Sequence, residues 1–268
     1  VDIFTDVEAN PSVTTVEKAT EAYKESGADF IVALGGGSPM DVAKAVGVTA
    51  KYGGSITEYE GAHKVPGPII PLIAIPTTAG TGSEVTAFSV ITDHSRDYKL
   101  TVFSYEILPA YAILDAELVK SVPPAITADT GMDVFTHALE ACVSTDRSDF
   151  STALAEKSIE LVGVFLLRAY LDGNDTHARQ KMHSASCLAG LAFNSASLGL
   201  NHGMAHQLGA KFHIPHGRAN AMLLPHIIEF NSDINKHSKS QKEYLPAVKR
   251  YATVAQILGL SSYNEIMT

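Results

Sequence analysis

Asp29-Phe30-Ile31-Val32-Ala33-Leu34 runs directly into Gly35-Gly36-Gly37-Ser38-Pro39, and this junction decides the fold. The mostly apolar run suits a strand buried on both faces. It stops where three glycines let the backbone turn sharply and approach a ligand closely. Helical spacing follows from Met40 to Tyr52. A helix is also expected before it, from Thr14 to Ser26, with Val16, Ala19, Ala22 and Tyr23 opposite Glu17, Lys18 and Glu21.

The same phrase recurs downstream. Ile69 to Ile75 is a second apolar run and ends in Pro76-Thr77-Thr78-Ala79-Gly80-Thr81-Gly82-Ser83, and Ala112-Ile113-Leu114-Asp115 forms a third. Buried strands alternating with helices predict a parallel sheet of the doubly wound kind. Ligands of such sheets bind at the carboxyl ends of the strands, where both Gly-rich loops fall.

Past Pro123-Pro124 the pattern changes. Ser151 to Tyr170, Ala178 to Phe193, Ala219 to Phe230 and Tyr251 to Leu260 carry apolar residues at three- and four-residue steps. The chain is therefore expected to hold an α/β domain over residues 1–123 and an all-α domain over 124–268. Ser238 to Glu243 is expected to be a solvated polar loop. Val1-Asp2-Ile3-Phe4 reads as strand interior, and helical sequence stops just short of Thr268, so both domains are expected to be truncated at the chain ends.

Composition narrows the function classes. Hydrophobic residues are 46% and charged residues 18% of the chain, a globular balance. A net charge of −9, with no local run of Lys or Arg, argues against a nucleic-acid partner, which needs a basic surface. No apolar run reaches the ~20 residues that cross a bilayer, and nothing at the start reads as a signal peptide. Cys142 and Cys187 read as free thiols of a reducing compartment. A cytoplasmic protein with no membrane partner is the expectation.

Three segments carry chemistry. After the first strand, Gly36, Gly37 and Ser38 would offer backbone N–H groups at a helix N-terminus, a setting suited to pyrophosphate. After the second, Thr77, Thr78, Thr81 and Ser83 set hydroxyls among Gly80 and Gly82, suited to phosphate oxygens and a ribose. In the helical half, Asp133 and His137 are four residues apart, which places them on one helix face. His202 and His206 repeat that spacing, and His213 and His216 follow, with Pro215-His216-Gly217 opening another helix. One carboxylate and several imidazoles make a mixed oxygen and nitrogen set suited to Fe(II), Zn(II) or a neighbouring divalent metal. His63, His94, His177, His183, His226 and His237 lack such company and read as surface or packing residues.

Gly35 through Asp41, Pro76 through Glu84, Gly131 through Glu140 and His202 through Gly217 resemble, in order and approximate spacing, the iron-containing (group III) alcohol dehydrogenases. The resemblance covers essentially the whole chain. It implies a dinucleotide-binding, dehydroquinate synthase-like α/β domain and a helical metal-binding domain, with catalysis in the cleft between them. It further implies Fe(2+), or Zn(2+), on Asp133, His137, His202 and His216, with His206 a nearby non-ligand on the substrate side and a candidate proton relay. Carried over by motif, Gly36, Gly37 and Ser38 would meet the pyrophosphate, Thr77, Thr78 and Thr86 would line the rest of the cofactor, and Asp41 is counted among the cofactor-binding residues. Lys99 matches a cofactor-contacting lysine, and Leu118 lies in a segment that touches the ribose.

The activity implied is metal-dependent hydride transfer between a short-chain primary alcohol or diol, or its aldehyde, and NAD, with NADP left open, in a homodimer or larger homo-oligomer. The alternatives are a glycerol dehydrogenase or dehydroquinate synthase-like enzyme of the same fold, or an inactive remnant kept for binding or assembly. Apolar residues around the metal motifs speak against the acidic substrate of a dehydroquinate synthase, and the intact ligand set speaks against a drifted remnant.

Overall fold

A computed structural model describes residues 1–212, 214–232 and 241–267. His213, His237 and residues 238–240 of the expected polar loop lie outside the described residues. The rest of that loop is helical, because Gln241 opens a helix.

The chain forms two compact units. The first is Val1–Thr78 with Gly82–Leu118, and the second is Ala79–Thr81 with Val119–Thr268. The division thus falls at Leu118/Val119, ahead of the Pro123-Pro124 pair that opens the first long helix of the second unit.

The first unit begins with α1 (Val13–Ser26), β1 (Ile31–Gly35) and α2 (Gly37–Tyr52). Ser12 caps α1 by accepting from the Thr15 N–H at 3.2 Å, and Gly27, at φ 64°, ends it in the left-handed conformation that glycine adopts without steric cost. β2 (Gly61–Ala62), β3 (Leu72–Pro76), β4 (Phe88–Asp93), β5 (Tyr98–Phe103) and β6 (Tyr111–Ala112) complete the unit. β1, β3 and β6 form a parallel sheet in that order, with Gly35 level with Pro76, so both Gly-rich loops leave the sheet at the same height.

One expectation for this unit fails. β1 is buried on one face only: Ala33 is inside, while Val32 and Leu34 are 50% and 59% exposed. As an edge strand of a three-stranded sheet, β1 packs α2 on one side and has no described layer on the other. An all-apolar run cannot distinguish the two cases.

Sequence reading also missed the β4–β5 hairpin, which pairs antiparallel from Phe88↔Phe103 to Asp93↔Tyr98 beside β2. Its signal was the turn His94-Ser95-Arg96-Asp97 between alternating segments. Asp93 accepts from Ser95 and Arg96 there, which holds its carboxyl down at about 2.

Residues of α1, α2 and both sheets close one core, including Val16, Met40, Val46, Leu72, Ile91 and Leu100. Each such side chain contributes roughly 1.5–3 kcal/mol on burial.

The second unit is helical throughout its described residues: α3 (Pro124–Val143), α4 (Asp149–Leu171), α5 (Thr176–Ala196), α6 (Leu200–Phe212), α7 (His216–Ser232) and α8 (Gln241–Ile257). Pro124 opens α3 at a position where its missing N–H costs nothing. Ser148 and Asp175 cap α4 and α5. α3 packs against α4, α5 and α7, which makes it the central helix of the bundle. No described helix is long and apolar enough to cross a membrane.

Candidate functional site

In the second unit, Asp133 and His137 project from α3, His202 from α6 and His216 from the first position of α7. One donor atom from each lies within 4.8 Å of the others. Ligand atoms at the usual 2.0–2.1 Å from one cation in a tetrahedral array are about 3.4 Å apart, so the widest pair has to close by roughly 1–1.5 Å, within reach of side-chain rotation. Asp133, His137 and His202 are buried, and the His216 side chain is 36% exposed, leaving one open side.

Asp133 uses both oxygens toward the cluster. Oδ1 lies 3.6 Å from His202 Nε2 and 3.5 Å from His216 Nε2, and Oδ2 lies 4.0 Å from His137 Nδ1. The His137 ring is sandwiched, 4.5 Å from the Phe193 ring and 4.4 Å from the His202 ring by centroids. Glu140, on the α3 face that carries Asp133 and His137, binds His202 Nδ1 through Oε2 and accepts the Asn201 N–H on Oε1 at 2.9 Å. That carboxylate fixes which nitrogen of His202 faces Asp133.

The approach of α7 to α3 is unusually close. A Cβ at Gly217 would overlap the Asp129 carbonyl oxygen and reach the Asp133 Cβ at 3.2 Å. Arg218 clamps the same turn by a bidentate pair to the Asp129 carboxylate at 3.0 and 3.1 Å. Glycine at 217 therefore lets His216 stand beside Asp133.

The electrostatics follow from the packing. Burial opposes ionisation of Asp133, but the imidazoles of His137, His216 and His202 hold its carboxyl well below the usual range. Burial brings His137 down to about 3, against the pull of Asp133. His202 is buried as well, yet its hydrogen bonds with Asp133 and Glu140 carry it up to about 9.

The donor set is of the kind that holds a cation, one carboxylate and three imidazoles facing one another. The Asn220 amide nitrogen donates to Asp133 Oδ1 at 2.7 Å and lies 3.0 Å from His202 Nε2 and 3.3 Å from His216 Nε2, so one amide gathers three of the four donor residues. His137 Nδ1 is buried with no hydrogen-bond partner among the described residues. A buried acceptor without a donor is costly unless something else satisfies it. His206 stands at the edge of this cluster, half-buried, with its ring 5.1 Å from that of His216 and 6.1 Å from that of His202.

The Gly-rich loops of the first unit form a second candidate surface. Gly36 N-caps the 16-residue α2 with no side-chain partner, so the helix presents its first N–H groups through Gly36, Gly37 and Ser38. Gly35, at φ 153°, lies over Pro39: a Cβ there would sit 2.6 Å from the Pro39 Cγ. Thr77 donates its N–H to the Gly35 carbonyl at 2.9 Å, and a Cβ at Gly36 would lie 3.2 Å from Thr78 Oγ1. These residues come together as a half-buried cradle.

Other expected cofactor residues stand apart. Asp41 turns inward, accepting from Ser83 Oγ at 2.8 Å and the Val90 N–H at 3.1 Å. Thr86 is 2% exposed, its hydroxyl 3.4 Å from the Lys44 ammonium. Both are internal braces, because the 83–90 segment packs on the side of α2 that spacing alone cannot identify. Lys99 donates to the Asn10 side chain at 2.7 Å, and burial lowers its pKa. Leu118 is 36% exposed at the end of the first unit. Sequence reasoning did not assign Glu140, Asn220 or Phe193. Glu140 was signalled by lying seven residues after Asp133, on the same helix face.

The chain is similar to known proteins along nearly its whole length. Residues 1–116 match the iron-containing alcohol dehydrogenase model, and residues 127–267 match the model of the C-terminal part of the Fe-containing alcohol dehydrogenase family. The 1-propanol dehydrogenase PduQ of Citrobacter freundii is 45% identical over 264 residues, covering 98% of this chain and 65% of that protein. The chain thus spans just under two thirds of that relative's length.

Among solved structures, an alcohol dehydrogenase from Oenococcus oeni aligns with TM-score 0.91 and 36% identity over 99% of this chain and 67% of that one. Sulfoacetaldehyde reductase from Bifidobacterium kashiwanohense, solved in complex with NAD+, aligns with TM-score 0.83 and 35% identity over 98% of this chain and 72% of that one. Motifs, donor cluster and matches along nearly the whole sequence converge: this chain belongs to the iron-containing alcohol dehydrogenase family.

Proposed function

We propose that the chain is the dinucleotide- and metal-binding portion of an oxidoreductase acting on short-chain primary alcohols or diols and the matching aldehydes. NAD is the proposed hydride carrier, NADP the alternative, and Fe(2+) or Zn(2+) the metal. The observation that carries this reading is the convergence of Asp133, His137, His202 and His216, the first three buried, with one donor atom of each within 4.8 Å of the others.

A divalent metal bound by these four residues supplies Lewis acidity toward an alcohol or carbonyl oxygen, and a nicotinamide supplies the hydride chemistry. The chain's own residues divide the remaining work. Gly36, Gly37 and Ser38 offer N–H donors and the positive end of α2 to a pyrophosphate, and Thr77 and Thr78 add hydroxyls beside them. Lys99 and Leu118 contact the cofactor further out. Glu140 and Asn220 hold the donor atoms in place. His206, an imidazole beside the cluster, takes up or releases the hydroxyl proton at a ring nitrogen. Family membership supports a cytoplasmic homodimer or larger homo-oligomer as the working form.

The test is anaerobic NAD-linked oxidation of 1-propanol and related short alcohols after loading metal-stripped protein with Fe(II) or Zn(II), beside His202→Ala. Metal-dependent turnover that vanishes in the variant is the expected result. Failure of the protein to retain any divalent metal would overturn the ligand assignment.

A further inference from the structure

A charged cluster lies inside the first unit, away from any open surface. Lys44, on α2, is fully buried, and its ammonium donates to Ser83 Oγ at 2.9 Å, the Thr86 carbonyl at 2.8 Å and the Phe88 carbonyl at 2.8 Å. With the Thr86 hydroxyl at 3.4 Å as a fourth and longer contact, its three N–H protons all have acceptors, at the end of the hydroxyl loop and just beyond it. Ser83 passes the link on, its hydroxyl donating to Asp41 on the same face of α2 as Lys44. Asp41 also receives the Val90 N–H, and its carbonyl receives Ser89 Oγ at 2.8 Å. Glu84 is buried beside them, with Oε1 lacking a hydrogen-bond partner among the described residues.

Burial brings Lys44 down to about 8, against the carboxylates of Asp41 and Glu84, and burial pushes both of those acids up. Taking an ammonium and carboxylates out of water is costly before their attraction offsets it, and well-packed apolar residues of similar volume are often as stable. What a saturated ammonium adds is one unique arrangement of the backbone it holds.

That backbone is one end of the hydroxyl loop. The loop leaves β3 at Pro76 and is fastened at its start by the Thr77–Gly35 hydrogen bond. It is fastened at its end by the Lys44 bonds to Ser83 and Thr86. The first fastening is to the β1–α2 junction that carries Gly36, Gly37 and Ser38, and the second is to the helix that this junction opens, two turns in at Lys44. Only residues 78–82 lie between them.

We propose that Lys44, acting through Ser83 and Asp41, is a positioning residue for dinucleotide binding: it fixes the first-unit ends of the hydroxyl loop, Thr77–Thr78 and Gly82–Ser83, beside the glycine loop so that these residues present one preformed surface. The inference rests on the dinucleotide reading of these loops given above. Lys44 touches no ligand itself, and its effect is on the affinity of a surface it braces.

The test compares the full chain with Lys44→Met, which keeps an unbranched side chain, one atom shorter, and removes the charge. Ser83→Ala, which cuts the link to Asp41 but leaves the two Lys44–carbonyl bonds, is the milder second variant. Binding of NADH and of NADPH is followed by nicotinamide fluorescence, Zn(II) binding by dialysis, and amide hydrogen exchange over residues 77–90 without nucleotide. Lys44→Met is expected to weaken nucleotide binding about tenfold and to speed exchange over 77–90, while Zn(II) affinity and the number of nucleotide sites stay at their wild-type values. Ser83→Ala should fall between.

Unchanged nucleotide affinity in either folded variant, with the wild type binding normally, overturns the inference and leaves the cofactor reading standing. Parallel loss of nucleotide sites and Zn(II) sites also overturns it, because that is the mark of general destabilisation. A wild-type chain that binds neither nucleotide overturns the cofactor reading, and this inference with it. If Lys44→Met does not fold, Ser83→Ala decides by the same measurements.

Discussion

Two buried polar clusters stand in this molecule, one in each unit, and they are built on opposite principles. Around Lys44 the ammonium's donors are matched by acceptors from the chain itself. Around Asp133 one donor atom from each of four ligand-type residues faces the others within 4.8 Å, and His137 Nδ1 has no hydrogen-bond partner among the described residues. A cluster that closes on itself holds backbone in place. One that closes only with an added cation is a site. Each also keeps one buried atom without a partner among the described residues, Glu84 Oε1 in the first and His137 Nδ1 in the second, so what separates scaffold from binding centre is the group in the middle: an ammonium held by the chain in one, four facing electron-pair donors within 4.8 Å in the other.

The comparison can be broken most directly at Asp133. Asp133→Ala removes the one anionic donor, and Zn(II) affinity measured by competition with a chelator should fall on the order of a thousandfold, beyond the usual 10–100-fold of an outer-shell change. An affinity within tenfold of wild type would mean that the imidazoles suffice and that the donor count misreads the site.

Glu140→Gln gives the next effect. It retains the shape that holds His202 Nδ1 but removes the charge, so metal affinity should drop about 10–100-fold while the helical signal in circular dichroism is kept. Equal affinity in the variant would reduce Glu140 to a packing residue.

The smallest effect belongs to a self-sufficient cluster near the surface. Partial burial pushes the Glu8 carboxyl up, but hydrogen bonds from Thr15 and Ser12 outweigh it and bring the group from 4.5 down to about 2. Its folded pKa is therefore depressed, so its contribution is complete above about 4.5 and is lost as pH falls through about 2. Solvent screening limits this contribution to roughly 1 kcal/mol or less. Urea unfolding of wild type and Glu8→Gln should differ by that amount at pH 6 and converge as pH is lowered toward 2. A gap that stays constant would assign the effect to something other than ionisation.

Much of this was legible in the residues, and the gaps have physical reasons. Two strand-to-glycine junctions were enough to place both loops at one end of a parallel sheet, since nothing but local pattern is involved. Asp133 and His137 could be read as a pair because a helix makes neighbours of positions four apart. That His202 and His216 would join them depends on how α6 and α7 pack on α3, which spacing does not encode and the family resemblance supplied. Asn220 was silent, because an amide announces nothing about what it will face. Asp41 and Thr86 were placed on the cofactor by motif and proved to face inward, since a motif fixes order along the chain and leaves open which side of a helix meets which neighbour.

The contact between α7 and α3 at Gly217 has a consequence for heredity. Every single-base change that converts a glycine codon to that of another amino acid adds a Cβ, and here a Cβ overlaps the Asp129 carbonyl. To relieve that overlap the turn bearing His216 has to move off α3, taking one donor away from Asp133. The codon for residue 217 can therefore drift only at its silent third base while the centre keeps its four donors, although the residue itself offers no atom to the chemistry.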